Sequence, residues 1–117
     1  MHVLFILNDP AYGTERTYNG LRLAINLFKK DESVAVTVFL MGDAVSAAKA
    51  GQQTPSGYYN LERMLKGFIT SGGKLLLCGT CMDARGLLEK ELLEGGRRSS
   101  LDELTGLALA ADKLLVF

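Results

Sequence analysis

Four near-continuous apolar runs, spaced by helix-length segments, constrain this chain more than any other feature. Residues 3–7, 34–40, 75–78 and 114–117 are rich in Val, Leu, Ile and Phe and lack the strict alternation of a half-exposed strand. Runs of this kind are what parallel strands covered on both faces require. Between the first two, Leu21, Ala24, Ile25 and Phe28 recur at i, i+3, i+4 and i+7, while Arg22, Asn26 and Lys29 fall off that stripe. The period is that of an amphipathic helix, and Thr14 is read as its N-cap. Leu61, Leu65, Phe68 and Ile69 make a second stripe, closed by Gly72-Gly73, which supply the positive φ of a helix C-cap. Ser100 and Glu103 have the spacing of a capping box ahead of a Leu- and Ala-rich helix over 101–111.

The resulting order β, α, β, α, β, α, β predicts an α/β chain: a three-layer α/β/α fold with a mainly parallel sheet of four to five strands and right-handed crossovers. The first run needs cover on both faces, so it is expected in the sheet interior. Residues 43–50 are read as a short helix and 51–57 as a loop, on their glycine, proline and polar content. Residues 86–95 fit either a helical turn or a short extra strand near Leu92 and Leu93. With 117 residues, 48% of them hydrophobic, the chain is sized for one core and a single domain over 1–117.

Charge narrows the partners. Thirteen basic and thirteen acidic residues cancel, which leaves no excess of cations for phosphate neutralisation, so nucleic acid is not expected as a partner. The first apolar run meets Asn8-Asp9-Pro10 after five residues. It is too short for a signal peptide or a membrane span, and no membrane partner is expected. The expected location is the cytoplasm, where thiols are kept reduced.

Cys78-Gly79-Thr80-Cys81 follows the third apolar run directly. A strand that ends on a thiol and runs into a helix opening presents that sulfur to N–H groups and to the positive end of the helix dipole. Both favour thiolate over the free-cysteine pKa of about 8.5. A C-x2-C pair is also half of a zinc site, but only His2 is left to complete it, so no metal or other cofactor is expected. A structural disulfide between these two cysteines closes almost no loop. Chemistry or simple core packing of Cys78 remains. In an open parallel sheet, ligands occupy the crevice at the carboxyl ends of the strands, so loops 9–14, 42–57 and 78–85 are expected to share one edge. Arg16 and Arg85 can each bring a guanidinium to the thiol there. Tyr12, Tyr58 and Tyr59 can line the site or pack at a subunit contact. His2 is expected at a strand start without a role, and Gly95-Gly96-Arg97-Arg98 is read as a solvated turn.

Three segments carry a family resemblance: Asn8-Asp9-Pro10-Ala11-Tyr12-Gly13-Thr14-Glu15-Arg16, Cys78-Gly79-Thr80-Cys81-Met82-Asp83-Ala84-Arg85-Gly86, and Ala111-Asp112-Lys113-Leu114-Leu115-Val116-Phe117. Together they resemble the DsrE/DsrF-like family, including its YchN-like members, over essentially the whole chain. The most specific part is a strand-end cysteine, here Cys78, followed at Arg85-Gly86 by an Arg-Gly pair. The resemblance implies an α/β/α subunit assembled into small homo-oligomers, commonly trimers or hexamers. It also implies cysteine persulfide chemistry, since family members with established roles carry sulfur in relays for sulfur oxidation or tRNA thiolation. Cys81 lies outside the minimal family cysteine pattern.

The expected function is that of an intracellular sulfur carrier or sulfurtransferase. Cys78 takes sulfane sulfur as a persulfide, and Cys81 is available to resolve it. Tyr12, Thr14, Arg16, Gly79, Thr80 and Arg85 are the candidate binding residues. Expected partners are a sulfur-donor or acceptor protein and a small sulfur species or anion. The alternatives are a non-catalytic oligomeric binding protein for a small anion or nucleotide, and a C-x2-C dithiol oxidoreductase.

Overall fold

β1 (His2–Leu7), β2 (Ala35–Leu40), β3 (Lys74–Cys78), β4 (Gly96–Ser99) and β5 (Lys113–Val116) form one sheet in the computed structural model, which describes residues 1–57 and 59–117. The strand order is β4-β3-β2-β1-β5 and every pairing is parallel. β1 is therefore interior, as its unbroken apolar run requires. All four apolar runs become strands. The fifth strand lies where the sequence was read as a solvated turn: Gly96-Arg97-Arg98-Ser99 pairs with Leu75-Leu76-Leu77-Cys78. It occupies a sheet edge, where one side of the ladder stays unpaired and charged side chains are the ordinary occupants.

Two faces of this sheet are filled differently. On one, Val3, Phe5, Leu7, Val36, Val38, Leu40, Leu75 and Leu77 pack in one buried cluster. That cluster also contains Leu21 and Ala24 of α1 (Arg16–Lys30) and Leu61, Leu65 and Phe68 of α2 (Leu61–Thr70). On the other, Leu4, Phe39, Leu76 and Cys78 are buried with Leu104 of α4 (Leu101–Ala110). The chain steps outward from β1 through β4 with α1 and α2 on the first face, then returns beneath α4 to place β5 beside β1. A fourth helix, α3 (Gly79–Ala84), leaves the end of β3 directly.

Local signals at the helix ends are mostly realised. Asn60 caps α2, its side chain accepting the Arg63 N–H at 3.0 Å. Gly72 ends that helix in the left-handed region at φ 101°, where a side chain is strained. The expected Thr14 cap does not form. Glu15 occupies the N-cap of α1 without a side-chain bond, and the Thr14 hydroxyl donates instead to Asp9 at 3.2 Å. Ser100 caps α4 by accepting the Glu103 N–H at 3.1 Å. The return half of that capping box is absent, because the Glu103 carboxylate is taken by Arg97, at 3.1 and 2.8 Å, and by the Ser99 hydroxyl.

The expected helix at 43–50 is a 3₁₀ helix, Gly42–Ala48, which buries Ala44, Val45, Ala47 and Ala48. Residues 86–95 hold a 3₁₀ turn at Glu89–Glu91 and one antiparallel bridge, Lys49 to Leu92, rather than a strand. His2 begins β1, its ring nitrogen 3.0 Å from the Thr37 hydroxyl. Among the described residues, no helix is long and apolar enough to cross a membrane.

Glu103 joins the edge strand to the helix that covers the second face. Arg97 first, then Ser99, hold its carboxyl at about 2 against an ordinary value of 4.5. Because the folded value is the lower one, the stabilisation is present above pH 4.5 and is lost as pH falls through about 2. We expect Glu103→Gln to lower stability by about 1 kcal/mol at neutral pH, the scale of a partly exposed ion pair. Denaturant titration should show the two proteins converging as the pH approaches 2. A gap that stays constant with pH would mean the pair carries none of the stability.

Candidate functional site

Cys78 serves both as the last residue of β3 and as the N-cap of α3. Its backbone is extended, at φ −62° and ψ 116°, so its side chain turns back over the first turn of the helix. Sulfur here does what a serine or aspartate oxygen does at an ordinary N-cap. It accepts the Cys81 N–H at 3.4 Å and lies 3.2 Å from the Thr80 hydroxyl. α3 is only six residues long, so these individual donors, rather than an extended helix dipole, set the environment. Cys78 is 7% exposed, whereas Cys81 is half-buried.

The two thiols are driven in opposite directions. Burial pushes the Cys78 thiol up, but bonds from the Cys81 thiol, the Thr80 hydroxyl and the N–H groups of Cys81 and Thr80 outweigh it, so its pKa falls below the ordinary range. For Cys81, burial, donation of its S–H to Cys78 and the charge on Cys78 prevail over the Gly42 N–H and the Arg85 charge, and its pKa rises. Together they make one proton-sharing unit with the anion on Cys78.

The three loops expected at this edge do meet. The Ala11 N–H donates to Ser46 at 3.4 Å, and Arg85 bonds Asp43 at 2.8 Å and the Cys81 carbonyl at 3.0 Å. Arg85 thus stands on the Cys81 side of the pair. Arg16 points elsewhere: its side chain is 68% exposed and faces Asp9 at 3.8 Å. Tyr12 and Thr14 belong to a separate cleft of about 440 Å³, which they line together with Tyr18, Thr54, Tyr59 and Leu61. The Tyr12 hydroxyl accepts the Leu61 N–H at 3.2 Å, and the Tyr18 and Tyr59 rings lie 4.6 Å apart. Tyr58 lies outside the described residues. No group of three or more His, Cys, Asp or Glu side chains among the described residues is placed to hold a metal ion.

Sequence reasoning missed Arg98. The β3–β4 register sets Ser99 beside Cys78 and Arg98 beside Leu77. From there the Arg98 guanidinium reaches α3, forks onto Asp83 at 2.7 and 2.9 Å, and lies against Gly79. A Cβ at position 79 would sit 2.8 Å from its Cζ and 2.9 Å from the Ser99 carbonyl oxygen, so only glycine fits between the strand and the helix. Asp83 first, and the negative charge of Cys78 among the further causes, raise the Arg98 pKa. The signal that pointed here was the basic pair beside Gly95-Gly96, invisible as a strand because it carries no apolar residue.

The model of the DsrE/DsrF-like family matches residues 1–117. This chain belongs to the DsrE/DsrF-like family. Its curated relatives include Protein YchN of Escherichia coli, 37% identical over 115 residues that span 98% of this chain and 97% of the relative. An uncharacterized protein of Methanocaldococcus jannaschii is 33% identical over 117 residues, the whole of both chains. The crystal structure of the Escherichia coli YchN protein superposes with a TM-score of 0.94 over 99% of this chain and 98% of that one. A protein of unknown function from Methanobacterium thermoautotrophicum, 17% identical, shares the fold at a TM-score of 0.81. The DsrE/DsrF-like family is associated with sulfur relay.

Thr80 places its hydroxyl on the Cys78 sulfur. Peptide mapping of iodoacetamide adducts across pH should give Cys78 a midpoint below that of free cysteine and Cys81 one above it. Thr80→Val should move the Cys78 midpoint upward and slow its alkylation at neutral pH by roughly tenfold, the loss of one hydrogen bond to a charged group. A profile unchanged by the substitution would remove Thr80 from the site.

Proposed function

We propose that this chain is a sulfur carrier with sulfurtransferase-like chemistry, holding sulfane sulfur as a persulfide on Cys78. The observation that carries this reading is the convergence of Thr80 and Cys81 donors on a sulfur whose pKa they lower. A thiolate is the nucleophile that sulfur transfer needs, and the same donors suit the persulfide anion that replaces it. The family's association with sulfur relay points the same way. In the first step the Cys78 thiolate attacks a sulfane sulfur, a new S–S bond forms, and the bonding pair leaves with the remainder of the donor. In the second, an acceptor takes the terminal sulfur. Alternatively, the Cys81 thiol attacks Sγ of Cys78, expelling hydrosulfide and leaving a Cys78–Cys81 disulfide. Such a carrier needs a reducing compartment such as the cytoplasm.

A homo-oligomer, a trimer or hexamer, is part of this reading. Leu101 and Leu109 of α4, and Leu114 and Val116 of β5, are 67%, 85%, 41% and 58% exposed, and a second copy is the cover we expect for them. A second reading, a non-catalytic binding protein, draws on the tyrosine-lined cleft, which the thiols do not line.

Intact mass of the reduced protein after exposure to thiosulfate, polysulfide or a cysteine-desulfurase system separates the readings. Added sulfur supports the carrier, as does a loss of two hydrogens that Cys81→Ser converts into added sulfur; a loss of two hydrogens with no sulfur adduct in Cys81→Ser supports a dithiol oxidoreductase, and no change the binding protein. Cys78→Ser should abolish the adduct. Cys81→Ser should retain it and prolong its life, because the resolving thiol is gone. An adduct that survives Cys78→Ser and disappears in Cys81→Ser would reverse the roles of the two cysteines.

A further inference from the structure

A buried thiolate faces an electrostatic difficulty with the donors it is offered. Small sulfane donors are anions, and two negative charges repel as they close, the more strongly where water is excluded. Cys78 is 7% exposed, at the junction of β3 and α3 with Ser99 of β4 beside it, so an incoming donor must be small. Arg98 stands at that place, its guanidinium against Gly79 and one residue from Cys78. Its partner is a poor competitor. The Asp83 side chain is 62% exposed and that of Arg98 41%, and exposed ion pairs are worth only about 0–1 kcal/mol. The fork onto Asp83 uses two of the guanidinium's N–H groups, leaving others for a second anion. Of the other arginines of this rim, Arg85 bonds the Cys81 carbonyl and its charge acts on Cys81 rather than Cys78, and Arg97 is held by Glu103.

We propose that Arg98 is the anion-recognition residue of the Cys78 site, that Asp83 is its exchangeable counter-ion, and that the sulfur donor is a small inorganic dianion of the thiosulfate class. The inference rests on the sulfur-carrier reading above. The sulfonate end of such a donor displaces Asp83 on the guanidinium, which neutralises part of its charge and turns the outer sulfur toward Cys78. The thiolate attacks that outer sulfur. The Sγ–S bond forms as the bond to the sulfonate sulfur breaks, the electron pair departs with sulfite, and the product is the Cys78 persulfide anion. Charge and atoms balance without an added oxidant or reductant.

Two reagents of similar size, iodoacetate and iodoacetamide, differ in the charge that Arg98 reads, and peptide mapping of the full chain gives the Cys78 rate for each. Arg98→Gln should lower the iodoacetate-to-iodoacetamide rate ratio about tenfold, the effect of one charge-assisted hydrogen bond. Asp83→Asn should raise the ratio, and Arg98→Lys, should the glutamine variant not fold, should retain most of it. Sulfur uptake from thiosulfate should fall with the ratio. A ratio indifferent to Arg98→Gln, or one that falls in Asp83→Asn, overturns the inference, and the carrier reading stands if the unaltered protein still takes up sulfur. Uptake from polysulfide but not from thiosulfate overturns the donor class. Uptake only from a cysteine-desulfurase system likewise overturns the donor class, and uptake from none of the three overturns the carrier reading itself, and the donor assignment with it.

Discussion

Leu4, Phe39 and Leu76 must be buried on a face of the sheet that α1 and α2 leave uncovered, and the arrangement of the β3 rim follows from how the chain covers them. Each such side chain is worth about 1.5–3 kcal/mol when buried, against about 0–1 kcal/mol for an exposed ion pair, so apolar cover decides the topology. α4 covers that face through Leu104, Leu107 and Ala108, with Cys81 of α3 at its margin. It connects β4 at one edge of the sheet to β5 at the other. β4 is thus the strand from which the crossing begins, although none of its side chains joins the core. Its position brings Ser99 beside Cys78 and Arg98 over Gly79. The Arg97–Glu103 pair then fixes where the helix begins relative to the strand.

What was legible in the sequence is what apolar period encodes. β1, β2, β3 and β5 and the apolar faces of α1 and α2 follow from runs and stripes, although β5 is an edge strand with no buried residue, and Thr17, Gly20 and Glu62 are buried outside the stripes. β4 was illegible because an edge strand needs backbone pairing on one side only, and Gly96-Arg97-Arg98-Ser99 holds its place by that ladder and by ion pairs. Thr14 failed as a cap because Asp9 offered its hydroxyl a carboxylate oxygen, while Thr17, one turn on, bonded the Asp9 carbonyl at 2.7 Å. Ser100 succeeded, but Glu103 found a stronger partner in Arg97 than the helix backbone offers. At the site, Cys78, Gly79, Thr80 and Cys81 were readable because their contacts are local. Arg98 reaches them only through strand register, which no local pattern reveals.

Position explains why two cysteines so close in sequence differ in chemistry. Cys78 sits where the backbone changes from strand to helix, with the donors of the following turn aimed at its sulfur. Cys81 lies inside that turn, where its N–H serves Cys78 and its carbonyl serves Arg85. One residue collects hydrogen bonds and the other provides them, so a single negative charge shared between them rests on Cys78. The cleft lined by Tyr12, Tyr18 and Tyr59 has a different character, aromatic and without a thiol.

A crystal structure of the protein after exposure to a sulfane donor tests the central claim most directly. The account predicts one additional sulfur bonded to Sγ of Cys78, within reach of the Thr80 hydroxyl and the Cys81 N–H, with Cys81 unmodified. Additional sulfur on Cys81 with Cys78 untouched would contradict it.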